Sequence, residues 1–269
     1  MATSSAPLEI GRVVLKVRDL DTVGGFYEQA LGLAPINRNG ESATYGTGDR
    51  VLLELHGDTA APRGSPREAG LFHTAFLLPS RADLGAWLHH AAETRVPLQG
   101  ASDHLVSEAL YLADPEGNGI EIYVDRPRDQ WTVKDGQIAM ATEPLDLNDV
   151  ASSATAPWSG VPDGTVVGHV HLQVGALDPS EEFIKQSLGM DLTTRYPGAN
   201  FFSSGGYHHH LAGNIWNSRN AGTRTPEATG LTEVEILGTP AGLANAALQP
   251  GAVLTDPWGT RFHITQKEA

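Results

Sequence analysis

Short runs of apolar residues, each followed by a helical stripe, recur along this chain at matched spacing. Val13-Val14-Leu15-Lys16-Val17 is followed by Leu20-Asp21, Phe26-Tyr27 and Leu31-Gly32-Leu33. Val170-His171-Leu172-Gln173-Val174 is followed, at the same intervals, by Leu177-Asp178, Phe183-Ile184 and Leu188-Gly189-Met190. Each copy reads as a strand, an Asp-led helix entry, an amphipathic helix and a glycine stop. A second matched pair closes each half. Asp114-Pro115-Glu116-Gly117 turns into a strand over 120–124, and Asp256-Pro257-Trp258-Gly259 into one over 261–265. Proline presets φ in such a turn and glycine ends it. The pattern predicts four modules, each a strand, a helix and several strands, over 8–57, 70–125, 166–216 and 229–266. Helices are expected at 22–31, 81–94, 179–187 and 240–247. The stretch 126–165 has prolines, charges and little periodicity, and is expected to wrap on the surface as a connector. The expectation is an α+β protein in two pseudo-repeated halves, 1–128 and 166–269, joined by 129–165.

Composition narrows the chemistry. With 40% hydrophobic residues among 269, a sizeable core is available and disorder is disfavoured. A formal charge of -14 argues against nucleic acid or an anionic membrane as partners. The chain has no cysteine, which removes disulfides, thiolate metal sites and a cysteine nucleophile together. Any metal must be held by His, Asp and Glu, which favours Fe(II), Mn(II) or Zn(II). No apolar run approaches the roughly 20 residues of a membrane span, and the start lacks the basic-then-apolar pattern of a signal peptide. The expected location is cytoplasmic. Neither a phosphate-binding glycine loop nor a Gly-x-Ser-x-Gly elbow is found.

Against that background the histidines stand out. His73 heads an otherwise apolar strand, and Glu121 lies between Ile120 and Ile122. His169 and His171 share one strand face, two residues apart. A lone strand histidine is more often a satisfied core residue than a ligand. A buried carboxylate nearby needs a partner, however, and two histidines with one carboxylate are the raw material of a facial metal triad. In the run His208-His209-His210, alternation would put His208 and His210 on one face and His209 on the other. His56, His89 and His90 read as solvated surface residues.

Three stretches carry a family resemblance. They are Asp103-His104-Leu105-Val106-Ser107-Glu108-Ala109-Leu110-Tyr111-Leu112, the run from Asp114 through Tyr123 into Asp125-Arg126-Pro127, and Gly205-Gly206-Tyr207-His208-His209-His210. With the four-module plan, the chain resembles the vicinal oxygen chelate superfamily. That superfamily comprises glyoxalase I, extradiol ring-cleaving dioxygenases and bleomycin-resistance proteins. The likeness is strongest to its two-domain catechol 2,3-dioxygenase-like branch. It implies βαβββ modules that pair into cups, with metal ligands on the first and last strand of a module. The first-strand positions are then Arg12, His73, His169 and Glu233, and the last-strand positions Glu54, Glu121, His210 and His263. A fixed cation at Arg12 repels a metal. Pairing the second module with the third collects His73, Glu121, His169 and His210, and leaves Arg12 facing Glu54 and Glu233. We favour that pairing, with His73, His169 and Glu121 as ligands and His210 as a fourth ligand or a donor behind them. The competing cup, from the third and fourth modules, would use His169, His210, Glu233 and His263.

The same resemblance implies an extradiol-type dioxygenase that opens a catecholic ring with O₂ on Fe(II), with Mn(II) or Zn(II) as alternatives. His104 or His208 would move the proton of a substrate hydroxyl, and Tyr123 would hydrogen-bond a bound phenolate. Asn214 and Trp216 would line the substrate wall. A small aromatic molecule is the expected partner, and a homodimer is possible for such paired-module folds. Two other outcomes are a glyoxalase-like isomerase or lyase using four ligands, and a metal-free protein that sequesters an antibiotic.

Overall fold

The computed structural model describes residues 6–267. The first module opens with β1 (Leu8–Val17), then helix α1 (Leu20–Phe26), then β2 (Ala34–Arg38), β3 (Ser42–Thr47) and β4 (Arg50–Gly57). Asp19, rather than the expected Asp21, caps α1 by accepting from the Thr22 amide at 2.9 Å. The helix runs on as a single π turn to Leu31 and stops at Gly32, whose φ of 82° suits only glycine. The second module is β5 (Gly70–Leu77), α2 (Arg81–Thr94), β6 (Gly100–Asp103), β7 (Ser107–Ala113) and β8 (Gly119–Asp125). The connector carries a short hairpin, β9 (Val133–Lys134) and β10 (Gln137–Ile138), and an unforeseen helix, α3 (Leu147–Ser152). The third module is β11 (Val166–Gln173), α4 (Leu177–Gln186), β12 (Asp191–Tyr196), β13 (Ala199–Ser203) and β14 (Leu211–Asn214). The fourth is β15 (Gly230–Gly238), α5 (Pro240–Asn245), β16 (Val253–Thr255) and β17 (Arg261–Gln266).

Two large sheets result. One has the order β16-β17-β15-β1-β4-β3-β2 and joins the first module to the fourth. The other has the order β12-β13-β14-β11-β5-β8-β7-β6 and joins the second to the third. Each sheet therefore draws on both halves of the sequence. In the eight-stranded sheet the central strands β5 and β11 run antiparallel, with Thr74 opposite Val170 and His73 opposite His171. β8 lies parallel to β5, with Ala75 opposite Glu121.

Strand alternation decides which residues face the core. Ile120, Ile122 and Val124 of β8 join the main apolar cluster, so Glu121 and Tyr123 point to the opposite face. β11 does the same with Val167, Val170 and Leu172, leaving His169 and His171 on that opposite face. Between Val167 and His169 the ladder slips by one residue at Gly168. A Cβ there would stand 1.9 Å from the Tyr123 hydroxyl oxygen, so only glycine fits. The main core lies under the helices and includes the fully buried Trp87, Phe76, Phe202 and Phe262. Trp87 donates its Nε1–H to the Ala30 carbonyl at 2.9 Å, tying α2 to the end of the first module's helix.

The connector does more than wrap the surface. It pins both free edges of the eight-stranded sheet. On the β6 side, Asp103 and Glu143 form a bridge through their backbones at 2.9 Å. On the β12 side, Thr194 Oγ1 donates to the Ile138 carbonyl at 2.7 Å, and the Arg195 amide to Gln137 Oε1 at 2.9 Å. An edge strand left open invites pairing with another chain, and this strap covers both. Among the described residues, no helix is long and apolar enough to cross a membrane.

Candidate metal centre and its cavity

Three adjacent strands, β11, β5 and β8, present His169, His73 and Glu121 on one face. Glu121 Oε2 lies 2.9 Å from His73 Nε2 and 3.2 Å from His169 Nε2, and the two imidazole nitrogens are 3.3 Å apart. All three residues are buried. Ligands about 2.1 Å from one ion and at right angles to each other are about 3.0 Å apart, the spacing of one face of an octahedron. The two imidazole Nε2 atoms and the carboxylate oxygen are three potential Lewis bases aimed at one point. A cation is the group that satisfies all three, so the donor set fits a divalent metal. Among the described residues this is the group of His, Asp and Glu side chains compact enough to do so, and it contains no fourth member.

Burial sets the protonation states. It pushes His169 down to about 4, only partly offset by Glu121, so its ring is neutral at pH 7 and free to ligate. Burial alone would raise the Glu121 carboxyl, but the adjoining His169 and His73 outweigh it and hold the group well below the usual carboxylate range. His171 and His209 are also pushed well below the ordinary histidine value, mainly by burial and then by neighbouring histidines.

The triad opens into a cavity of about 270 Å³. Its walls are Phe72, Trp216, Phe201 and Tyr196 with His171, His104, Tyr111 and His209, and among the described residues no Lys or Arg lines it. Phe72 and Trp216 meet edge to face, 5.4 Å between ring centres. Met140, Ala141 and Thr142 of the connector form part of the wall.

Of the residues singled out in the sequence, His73, Glu121, His169, His104 and Trp216 meet at this cavity. Four do not. The segment Tyr207–His210 is not a strand, because the two positive-φ glycines Gly205 and Gly206 turn the chain and β14 starts only at Leu211. The expected partition holds with the faces exchanged: His209 lines the cavity, tilted against His169 with 4.0 Å between ring centres, and His208 and His210 lie behind it. His210 Nδ1 accepts from the Ser204 amide at 3.3 Å, and burial pushes its pKa down to about 3. His208 Nε2 donates instead to Asp125 at 2.9 Å. Tyr123 is sealed beneath the triad, its hydroxyl bonded to that of Tyr207 at 2.7 Å. Asn214 is fully buried and caps the Trp216 amide at 3.1 Å. His104 reaches the cavity with both nitrogens engaged, Nδ1 to the Ala141 carbonyl and Nε2 to the Tyr111 hydroxyl, each at 2.6 Å.

His209, which the sequence reading set on the face opposite His208 and His210, and Tyr111, Phe72, Phe201 and Tyr196, to which it gave no role, also line the cavity. Tyr111 could have been found: it sits directly across the β7–β8 ladder from Glu121. The competing ligand set is divided, since Glu233 and His263 belong to the other sheet. There Arg12 pairs with Glu54 at 2.9 Å and with Glu235 at 3.1 Å. Glu233, expected to face Arg12, pairs with Arg261 and His263 instead.

A model of the Glyoxalase/Bleomycin resistance protein/Dioxygenase superfamily matches residues 9–122. A catechol-2,3-dioxygenase from Bacillus subtilis (strain 168) is 39% identical over 228 residues, 82% of this chain and 80% of that protein. Biphenyl-2,3-diol 1,2-dioxygenase 3 of Rhodococcus globerulus is 31% identical over 123 residues, 43% of this chain and 63% of that enzyme. The chain belongs to the glyoxalase/bleomycin resistance/dioxygenase superfamily. Among solved structures, a protein of Bacillus subtilis subsp. subtilis str. 168 aligns over 97% of this chain and 86% of its own, with TM-score 0.64 and 13% identity. A glyoxalase I variant from Zea mays aligns over 97% and 93%, with TM-score 0.58 and 16% identity. Both speak to the fold alone.

Proposed function

We propose that this chain is an extradiol-type dioxygenase that opens the ring of a neutral catechol with O₂, on a divalent metal held by His73, His169 and Glu121. The observation that supports it most is the mutual spacing of three buried ligand atoms, 2.9–3.3 Å, at the floor of an aromatic-lined cavity. Its similarity to a catechol-2,3-dioxygenase over most of both chains supports the same reading. Bound Fe(II), or Mn(II), would supply Lewis acidity toward a diol and electrons toward dioxygen.

The protein's own groups do the rest. Phe72, Phe201 and Trp216 hold an aromatic ring by its faces and edges. With no Lys or Arg on the walls and Glu121 at the floor, the cavity favours an uncharged ring over one bearing a carboxylate. His209 is the proton acceptor for a substrate hydroxyl, since its Nδ1 is taken by His208 and its Nε2 is left for the cavity. His104 acts through Tyr111. With Nδ1–H given to the Ala141 carbonyl, His104 Nε2 accepts the Tyr111 O–H, which leaves the phenol's lone pairs for the substrate. A metal-isomerase reading needs a fourth ligand, and the cluster has three members. Protein loaded anaerobically with Fe(II) should then consume O₂ with catechol or 3-substituted catechols and release a yellow ring-opened product. Metal-loaded protein that yields no product from a broad catechol panel overturns the reading. Failure to take up Fe(II), Mn(II) or Zn(II) points to the sequestering alternative.

A further inference from the structure

Behind the cavity wall lies a chain of polar side chains that metal ligation does not use. Asp125, at the end of β8, accepts twice on one oxygen: from His208 Nε2 at 2.9 Å and from the Tyr207 hydroxyl at 3.0 Å. Tyr207 in turn receives the Tyr123 hydroxyl at 2.7 Å. His208 Nδ1 faces His209 Nδ1 at 2.7 Å, and His208 is fully buried. Trp131 packs on the His208 ring, 5.2 Å between centres, and is itself held by donating Nε1–H to the Arg126 carbonyl at 2.9 Å.

We propose that Asp125 and His208 are positioning residues that fix His209 as its Nδ1–H tautomer, with a bare Nε2 turned to the cavity. The proposal deepens the reading of His209 as proton acceptor and rests on it. The logic is one of donors and acceptors. A carboxylate oxygen receiving two donors can only accept, so His208 carries its proton on Nε2. A neutral imidazole has one N–H, so His208 Nδ1 is an acceptor. The contact at 2.7 Å between the two Nδ1 atoms then needs its proton from His209. With Nδ1 protonated, neutral His209 keeps its remaining lone pair on Nε2. The nitrogen that carries the proton is set by the bond the other makes, here relayed through a second imidazole to a carboxylate. A proton acceptor without this backing divides between two tautomers, one of which turns an N–H toward the substrate. The local fold serves the relay: Gly205 and Gly206, at φ of 68° and 67°, interrupt the strand so that consecutive histidines meet side by side.

The test reads tautomers directly. Full-length chain, selectively ¹⁵N-labelled at histidine and loaded with diamagnetic Zn(II), is examined by two-bond ¹H–¹⁵N correlation. The expected result is His208 protonated on Nε2 and His209 on Nδ1. A His209 protonated on Nε2 in this wild-type sample overturns the proposal, with no substrate or variant involved. Kinetics on Fe(II)-loaded protein with catechol give the second readout. Neither residue lines the cavity, so His208→Phe should lower kcat by on the order of 10²–10⁴-fold and leave KM within about twofold. His208→Asn, whose Oδ1 can still accept from His209, should recover at least about tenfold of that loss. Unchanged kcat in His208→Phe, or a loss seen only as raised KM or lost metal, would mean the pair merely fills space. If wild-type protein cleaves no catechol at all, the proposed reaction fails while the tautomer measurement still decides the positioning.

Discussion

Replacing Glu121 by Gln keeps the shape of the triad and removes its one negative charge. In the metal-free protein the amide oxygen can still accept from His73 or His169, but the charge that those histidines stabilise is gone, so folding stability should fall by about 1–3 kcal/mol. The metal-bound state loses its attraction to the ion as well. A dication about 4 Å from a unit charge gains about 8 kcal/mol at an effective dielectric of 20, before desolvation. Glu121 is buried, so salt screens this little, and among the described residues no other acid lines the cavity. If even a third of that attraction survives, metal affinity falls about 100-fold, roughly 2.7 kcal/mol. A thermal-shift titration reads it. Metal at about 100 times the wild-type Kd stabilises the fold by roughly 2.7 kcal/mol, and the same concentration stabilises the variant by about 0.4 kcal/mol. For a chain of this size the melting shift should shrink from about 5–11 °C to about 1–2 °C. An undiminished shift in Glu121→Gln refutes a carboxylate ligand at this position. A metal-free loss well beyond that expected would instead mean that Glu121 is a structural charge.

Three further outcomes are expected. Gly168→Ala forces a methyl to within 1.9 Å of the Tyr123 oxygen and should cost about 1–3 kcal/mol; in a Tyr123→Phe background the same change should cost measurably less by chemical denaturation. His210, its folded pKa lowered to about 3 from 6.5, resists a proton that the unfolded chain accepts, so its contribution is intact above pH 6.5 and is lost as pH falls below it. From His210 alone, wild-type stability should drop by about 1.2 kcal/mol between pH 6 and 5, and a urea midpoint that is flat across that range contradicts a neutral buried His210. Arg12→Leu strands Glu54 and Glu235 together in the other sheet; with Arg12 about a quarter exposed, the cost should be about 1–2 kcal/mol, while catechol turnover stays at the wild-type value.

Period and register made much of this molecule readable in the sequence. The four-module plan and all four expected helices follow from matched spacing plus strand alternation, and the apposition of His73, Glu121 and His169 from the module pairing that the family resemblance implied. In the histidine run alternation separated His209 from His208 and His210 but did not say which of them meets the cavity, because Gly205-Gly206 turn the chain before Tyr207 and break the count from the preceding strand. Tyr123 shares the ligand face with Glu121, but a face continues past the rim of a cavity, and the missing side chain of Gly168 lets its hydroxyl run underneath. The role of 137–143 was out of reach for another reason. A connector without periodicity has no readable face, and its seat across the two sheet edges depends on tertiary bonds such as Thr194 to Ile138.

The crossing of the two sheets has a consequence for the chain as a molecule in two pieces. Cut within the connector, the first piece keeps β1 to β8 and the second keeps β11 to β17, so each inherits half of both sheets and neither inherits a whole one. His73 and Glu121 leave with one fragment and His169 with the other. Metal affinity thus becomes a reporter of reassembly: separately expressed halves should be blind to the ion, and mixing them should restore the site only through formation of both interfaces at once. The two halves are held to each other by one central pairing in each sheet, β1 with β15 and β5 with β11, so a change on either of these strands is felt across the seam.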